Sequence, residues 1–265
     1  LISIYLILSG LPAIRQIGLF QLLLGRVWAP TNTTTGAQYG ILPFILTSVY
    51  GTAGAIVIGV PVGLLTAVFL AKVAPPKLAA VIRTAVQLLA GIPSVVYGLV
   101  GMIVLVPAIR TLFHLSSGAC LLAAMIVLAI MILPSIINVS ETALRAVPKE
   151  YEEASLALGT TEMETYFRVS LPAARSGVAT AVVLGVGRAI GEAMAIIMVA
   201  GNVSNMPGLF TPVRFLTTGI VSGMAYASVG SLYQQALYSI GLVLFLFIML
   251  INVFLNVCVK NRKEG

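Results

Sequence analysis

Aspartate is absent from this sequence, and charged residues of all kinds make up only 9% of its 265 positions. Soluble domains carry about 25% charged residues, so this chain has too few to cover a soluble surface. Hydrophobic residues make up 59% of the sequence, and the mean hydropathy is +1.08. A soluble protein of this composition would expose large apolar patches and aggregate. The composition therefore indicates a protein whose solvent is lipid.

Residues that build metal and catalytic sites are also scarce. The sequence has one histidine, His114, and two cysteines, Cys120 and Cys258, which lie in apolar segments. Their positions suggest neither a metal-ligand cluster nor a catalytic triad. No Gly–Lys pair occurs, so the sequence lacks the phosphate-binding loop of ATPases. If ATP drives this protein, another chain must hydrolyse it.

Long apolar segments predict membrane-spanning helices, because a helix needs about 20 apolar residues to cross the hydrocarbon layer. Residues 1–11 are apolar but short, and we expect them to be the end of a first spanning helix whose start is missing. The prediction is an all-α membrane protein of about six transmembrane helices, in one transmembrane domain over residues 1–265. The other five predicted spans are 41–71, 84–110, 118–139, 174–200 and 231–259.

The net charge of +7 does not indicate a nucleic-acid partner, because the basic residues form no single stripe. They are divided unequally between alternate connections of the spans. One set of connections holds ten: Lys72, Lys77, Arg83, Arg145, Lys149, Arg168, Arg175, Lys260, Arg262 and Lys263. The other set holds four: Arg15, Arg26, Arg110 and Arg214. Basic residues favour the cytoplasmic side, so we expect the first set and the C-terminus to be cytoplasmic.

Prolines fall inside the predicted spans, and those at Pro61, Pro93, Pro107 and Pro134 are well away from the start of a span. A proline inside a helix removes a hydrogen bond and kinks the helix. These kinks are either structural or mark broken helices that line a path near the membrane midplane. On the second interpretation, Pro93 and Ser94 are candidates for the lining of the path.

The connection 140–173 carries the strongest local signals in the chain. Pro148 suits the start of a helix and Gly159 suits the end of one. Thr161 and Glu164 have the spacing of a capping box for a second short helix. The pattern therefore predicts a helix–Gly–helix elbow on the cytoplasmic side.

Small residues are concentrated in the first helix of this elbow. Ala154, Ser155 and Ala157 lie beside Leu156 and Leu158. If they are exposed, another protein can pack closely against them. Alternatively, the connection folds back on the helices of its own chain. The residues alone leave both interpretations open.

The same connection resembles the EAA loop of ABC importer permeases, whose pattern is EAA, three residues, Gly, nine residues, Ile, one residue and Leu-Pro. The spacing is retained here, with serine for the second alanine and valine for isoleucine. The resemblance implies a type I importer transmembrane domain whose coupling helix docks on an ATPase subunit, which itself binds ATP and Mg²⁺. The corresponding residues are Glu153, Ala154, Ser155, Gly159, Val169, Leu171 and Pro172.

Arg188 and Glu192 are the charged residues within the apolar part of segment 174–200. A charge at the centre of a membrane helix costs about 2.5–3.5 kcal/mol, and such charges mark function or a specific partner. The i, i+4 spacing predicts that both side chains share one helix face. They either form an ion pair that locks two helices, or serve an anion path in which Glu192 holds or releases Arg188. Arginine suits phosphate because its planar fork makes two parallel hydrogen bonds.

Residues 185–195 and 91–98 resemble two motifs of bacterial phosphate ABC permeases. Residues 39–44 and 101–107 are more similar to the PstC-type subunit than to its PstA-type partner. The resemblance covers nearly the whole chain. It implies that the protein is a permease subunit and not an enzyme, with no cofactor of its own, and that it moves phosphate across the cytoplasmic membrane.

The resemblance also implies specific residues and partners. The transport residues of the family correspond to Arg188 and Glu192 in this sequence. The expected partners are a PstA-like second permease, two PstB-like ATPase subunits and a PstS-like phosphate-binding protein on the outer face.

Other functions remain compatible with parts of the pattern. An importer for sulfate or molybdate would need the same cationic chemistry. A proton-coupled secondary transporter could use Glu192 as its proton carrier, although it would need no ATPase-docking elbow. A signalling or scaffold subunit that transports nothing is the third alternative.

Overall fold

The computed structural model describes the backbone of residues 2–31 and 36–261, with the side chains of residues 3–31 and 36–253. These residues form helices and one pair of short antiparallel strands. In chain order the elements are α1 (Ile2–Ile17), α2 (Leu19–Leu24), β1 (Trp28–Ala29), β2 (Gln38–Tyr39), α3 (Leu42–Val68), α4 (Pro76–Gly91), α5 (Ser94–Val100), α6 (Val106–Leu112), α7 (Leu121–Arg145), α8 (Lys149–Ala157), α9 (Glu162–Thr165), α10 (Leu171–Ala173), α11 (Arg175–Gly191), α12 (Met194–Val199), α13 (Leu216–Met224) and α14 (Leu232–Asn261).

Four helical stretches within the described residues are long and apolar enough to cross a membrane. A fifth span exists only if Glu162–Ala173 and Arg175–Gly191 are taken together, and these two are bent by 72°. The helix α1 is apolar and shorter, and it continues past residue 11, where the sequence prediction ended the first span. The four long stretches are Leu42–Val73, Ser94–Leu112, Leu121–Arg145 and Leu232–Val253.

The predicted span 84–110 is wrong as a single helix. The helix α4 ends at Gly91, and Ile92 is extended with ψ of 129°. A residue before proline is driven out of the helical region by the proline ring, so Pro93 forces this break. The apolar span begins only at Ser94, the first residue of α5.

Three short segments have π-helical geometry among the described residues: Phe69–Val73, Gly101–Leu105 and Tyr166–Ser170. Each is followed within two residues by a proline: Pro75, Pro107 and Pro172, respectively. A proline inside a helix has no N–H to donate, and its ring collides with the carbonyl four residues back. A locally wider turn relieves that collision at Pro107 and Pro172. Pro75 is different, because the helix has already ended at the extended Ala74.

The described residues group into two compact units. The first is drawn from residues 1–54, 93–128 and 190–251. In it, α1 lies against α14, where the Ser239 hydroxyl donates to the Gly10 carbonyl at 2.7 Å. The helices α5 and α12 also pack closely, because Gly98 leaves room for the backbone of Ala195. The aromatic residues around Trp28 form the rest of the apolar core.

The second unit is drawn from residues 55–92, 129–189 and 252–265. The helix α7 lies against α3, where Gly59 and Gly63 face the side chains of Ile132 and Ile136. It also lies against α11, where Gly177 meets Ala143. Small residues let apolar helices approach closely, which strengthens their packing in lipid.

The contact at Gly98 yields a stability prediction. A Cβ added at Gly98 would lie 2.8 Å from the Ala195 Cα. Overpacking of this kind costs about 1–3 kcal/mol, so Gly98→Ala is expected to lower the thermal unfolding midpoint of the purified protein. Gly91→Ala is the matched control, because a Cβ at Gly91 would meet nothing within 4 Å. Equal shifts for the two variants would contradict the close packing of α5 on α12.

Candidate functional site

The connection between α7 and α11 forms the elbow that the sequence predicts. Pro148 precedes α8, and Gly159 ends this region in the left-handed conformation with φ of 85°. The Thr161 hydroxyl caps α9 by accepting the Glu164 N–H at 3.3 Å. Only this half of the predicted capping box is formed, because the Glu164 carboxylate pairs with Arg168 at 2.9 Å.

Ser155 does not face outward, unlike Ala154 and Ala157, so the exposed interpretation does not hold for this residue. Its side chain is buried and takes part in a triangle of hydroxyl groups. The Ser155 Oγ lies 2.8 Å from Thr160 Oγ1 and 3.0 Å from Thr165 Oγ1, and these two threonine oxygens are 2.9 Å apart. The triangle ties the end of α8 to α9 across the turn, so the serine fixes the angle of the elbow.

The opposite face of α8 is exposed and largely apolar. Glu153, Ala154 and Ala157 are exposed there, and Leu156 and Leu158 keep 42% and 86% of their surface accessible. A contiguous exposed apolar patch, unlike a single exposed leucine, is typical of a surface that another protein covers. The elbow is therefore not folded back over its own apolar residues.

The last three residues of the EAA-like pattern lie close to the membrane helices. Leu171 packs against an apolar cluster that includes Val68 and Leu144. Val169 is half-buried, and Pro172 is exposed directly after the π-helical segment. These three residues lie in the segment that leads into α11, and they are not part of the exposed face of α8.

Glu152 is a residue of this site that the sequence analysis missed. Its carboxylate forms an ion pair with Lys72, and the two side chains are only 17% and 11% exposed. The Ser170 hydroxyl donates to the same carboxylate at 2.8 Å. Glu152 therefore ties α8 to the end of α3 and to the start of the return segment. The sequence signal for Glu152 was its spacing from Ser155. The two residues are three positions apart, so they share the inward face of α8.

A second buried carboxylate lies near the end of α7. Glu141 accepts from the Arg83 Nε at 2.7 Å and from the Arg145 Nε at 2.9 Å. Arg145 Nη2 also donates to the Leu70 carbonyl at 3.0 Å. These bonds hold α4, α7 and the end of α3 together. The i, i+4 spacing of Glu141 and Arg145 is the sequence signal for this cluster.

Glu192 does not share a helix with Arg188, so the predicted common face is wrong. The helix α11 ends at Gly191, and α12 begins only at Met194. The Glu192 side chain turns forward and accepts the Ala195 N–H at 3.0 Å, and its backbone carbonyl accepts from the Thr217 hydroxyl at 2.7 Å. Capping α12 therefore takes precedence over continuing α11.

Arg188 lies one turn before the end of α11 and is half-buried. Among the described residues, none forms an ion pair or a hydrogen bond with its guanidinium. A partly buried cation without a fixed counter-charge is unfavourable in an apolar environment. The described residues therefore do not supply the counter-charge that this environment favours for Arg188.

Pro93 and Ser94 stand at the start of α5. Pro93 is exposed, and Ser94 is half-buried. The helix α5 packs on α12 through Gly98, so the segment that follows Glu192 lies against the segment that follows Pro93. The structure brings these two interrupted helices together within one compact unit.

Comparison with known proteins gives a consistent result. Residues 59–261 match the family model described as the binding-protein-dependent transport system inner membrane component. The chain is 41% identical over 258 residues to the probable ABC transporter permease protein YqgH of Bacillus subtilis, covering 95% of this chain and 83% of that protein. It is 36% identical over 252 residues to the phosphate transport system permease protein PstC of Mesorhizobium japonicum, covering 88% and 76%.

Solved structures show the same fold. One chain of a bacterial alginate ABC transporter, in complex with a periplasmic protein that binds an alginate pentasaccharide, superposes with a TM-score of 0.68. The superposition covers 98% of this chain and 88% of that chain, at 16% sequence identity. The architecture is therefore that of a type I ABC importer transmembrane domain.

The Lys72–Glu152 pair yields a second prediction. Removing one partner of a buried ion pair lowers the free energy of unfolding by about 3–5 kcal/mol. Because these two side chains remain partly exposed, we expect Glu152→Gln to fall near the lower end of that range. We expect a lower unfolding midpoint, together with faster proteolysis in the elbow. Glu153→Gln, its exposed neighbour on α8, is the control and should change neither value. A stable Glu152→Gln variant would show that the pair does not hold the elbow.

Proposed function

Because this chain belongs to the family of inner membrane components of binding-protein-dependent transport systems, we propose that it is the PstC-type permease subunit of a bacterial phosphate importer. Members of this family are multi-pass transport components and not enzymes. Phosphate as the substrate is supported by relatives named as phosphate transport permeases, including one that is 37% identical over 264 residues. The same relatives disfavour sulfate import and proton-coupled transport.

The observation that carries the proposal is the Arg188 guanidinium, half-buried and without a fixed acceptor among the described residues. Phosphate supplies the missing negative charge and accepts two parallel hydrogen bonds from one guanidinium. We place Arg188 on the translocation path, where it holds phosphate briefly. Tight binding would slow release, so an isolated cation suits a transit site better than an enclosed cage.

Glu192 contributes to the translocation path by shaping the backbone between α11 and α12. Its carboxylate caps α12 and its carbonyl accepts from Thr217, so it maintains the interruption after α11. Pro93 and Ser94 interrupt the chain before α5 in a similar way. Interrupted helices near the membrane midplane are the usual lining of transport paths, and we assign Ser94 and Glu192 to that lining.

Coupling to ATP is assigned to the elbow. We propose that the exposed face of α8, with Glu153, Ala154 and Leu158, docks on an ATPase subunit that binds ATP and Mg²⁺. Gly159 and the Ser155 hydroxyl triangle set the shape of the elbow. Glu152, through Lys72 and Ser170, then transmits displacement of α8 to the end of α3 and the start of the return segment.

The remaining partners and the orientation follow from the charge distribution and the family. The ten basic residues that include Lys72 and Arg145 indicate the cytoplasmic side, which places the elbow and the C-terminus there. The complete transporter would contain a PstA-like second permease, two PstB-like ATPases and a PstS-like binding protein outside. In this chain, Cβ atoms at Gly187 and Gly191 would meet nothing within 4 Å in the described residues, which leaves this small-residue surface of α11 for the second permease.

The energetics require an external energy source. Import of a dianion against a membrane potential of about 100 mV, negative inside, costs about 4.6 kcal/mol before any concentration gradient. Passive movement of phosphate would therefore run outward, and ATP hydrolysis on the partner subunits supplies the difference.

The substrate assignment is tested by replacing Arg188. Hydrogen bonds to charged groups contribute about 1.5–3 kcal/mol, so Arg188→Ala should reduce the rate of labelled phosphate uptake by about 10- to 100-fold. Arg188→Lys should retain part of the rate, because it keeps the charge. Arg175→Ala, at the exposed start of the same helix, is the control. Loss of sulfate uptake with normal phosphate uptake would overturn the choice of substrate.

The docking assignment is tested by placing a charge on the elbow. Leu158 is 86% exposed, so Leu158→Asp should leave the fold intact while it repels an apolar partner surface. We expect the ATPase subunits to be lost on co-purification and uptake to stop. Val229→Asp is the matched control, because Val229 is 94% exposed in a connection predicted to be on the other side. Retention of the ATPase by Leu158→Asp would exclude this face as the dock.

A further inference from the structure

The unit formed by residues 1–54, 93–128 and 190–251 contains a cavity that the proposed transport path does not use. Its volume is about 630 Å³. Polar and aromatic side chains line it: Trp28, Asn202, Ser204, Arg214, Tyr226 and Tyr233. None of its lining residues carries a carboxylate.

One wall of the cavity is rigid. The ring centroids of Trp28 lie 5.7 Å from Tyr39, 5.5 Å from Phe44 and 6.2 Å from Tyr233. The Trp28–Tyr39 pair is packed edge to face and the other two pairs are tilted, and aromatic groups at these distances hold one another in place. The cavity is therefore a fixed feature of this unit and not a gap between loose loops.

Among the described residues that line the cavity, Arg214 is the only charged one. Its Nε and Nη2 donate to the Asn202 carbonyl at 3.1 and 2.6 Å, and its Nε also donates to Asn202 Oδ1 at 2.9 Å. The guanidinium carbon lies 5.8 Å from the centre of the Phe44 ring. These contacts orient the guanidinium, but none of them neutralises it.

The remaining edge of Arg214 is available for a ligand. Its Nη1 has no hydrogen-bond partner in the part of the chain that the structure describes, and no carboxylate there pairs with it. Burial lowers the pKa of the Arg214 guanidinium, yet an arginine remains protonated at neutral pH. A half-buried, oriented cation beside hydroxyl groups has the chemistry of an oxyanion site.

We propose that this cavity binds a tetrahedral oxyanion through Arg214, with the hydroxyl groups of Ser204 and Tyr233 as further donors. Its position on the outer side rests on the proposed function, since Arg214 belongs to the connections with few basic residues. The anion is held weakly, because one guanidinium edge and solvent-exposed hydroxyls provide its contacts.

The test uses thiol labelling in the assembled membrane complex, with the external binding protein omitted. Tyr226 is 85% exposed at the cavity, so Tyr226→Cys provides a probe, in a background in which Cys258 is replaced by serine. Cys120 is buried and should not react. At constant ionic strength, inorganic phosphate should slow labelling of Tyr226→Cys several-fold. Val229→Cys, exposed outside the cavity, should label at an unchanged rate.

Two further variants address Arg214 directly. Arg214→Gln should abolish protection by phosphate, while Arg26→Gln, which removes an exposed cation outside the cavity lining, should retain it. Because Arg214→Gln also loses bonds to Asn202 and could unfold this loop, Ser204→Asp provides a second test. It leaves Arg214 unchanged and places a carboxylate in the cavity, so it should abolish protection as well.

The outcomes separate this proposal from the proposed function. Arg188→Ala should leave protection at Tyr226→Cys intact, whatever its effect on uptake, because the labelling reports binding without transport. Protection by sulfate as well as phosphate would support a general oxyanion site. Equal protection by chloride, no protection by phosphate, or undiminished protection in Arg214→Gln and Ser204→Asp would overturn the proposal.

Discussion

Every backbone N–H and C=O in an apolar solvent needs a partner within the protein, and this requirement governs most irregular features of the structure. Where α11 stops, the Glu192 carbonyl accepts from Thr217 and the Glu192 side chain caps α12. The Leu216 N–H, at the start of α13, donates to the Ser48 hydroxyl at 3.0 Å. At this break, polar side chains satisfy the backbone groups that the interrupted helices leave exposed.

The sequence predicted the regular helices well, because a long apolar run in lipid has few alternatives to a helix. The elbow was also predictable, since Gly159 and Thr161 act through local geometry. The break before Pro93 follows from a local steric rule, and a stricter reading of the span 84–110 would have found it. These features depend on residues that are near one another in the sequence.

The features that were missed depend on distant partners. The break at Glu192 is stabilised by Thr217, 25 residues further along the chain, and periodicity cannot reveal that contact. The inward position of Ser155 depends on two threonines beyond the turn. Glu152 was overlooked because an acid in the first turn of a helix already has a local explanation, while its partner Lys72 lies in a different connection.

Lys72, which pairs with Glu152, lies inside the π-helical segment Phe69–Val73. An α-helix advances 1.5 Å per residue. If a π-helical turn tightens to α geometry, the residues that follow it rotate about the helix axis and shift along it by a fixed amount. Ser170, the other partner of Glu152, also closes a π-helical segment. Both partners of Glu152 therefore lie in π-helical segments, so a displacement of α8 would act on two places where the helical turn is already wider than in an α-helix.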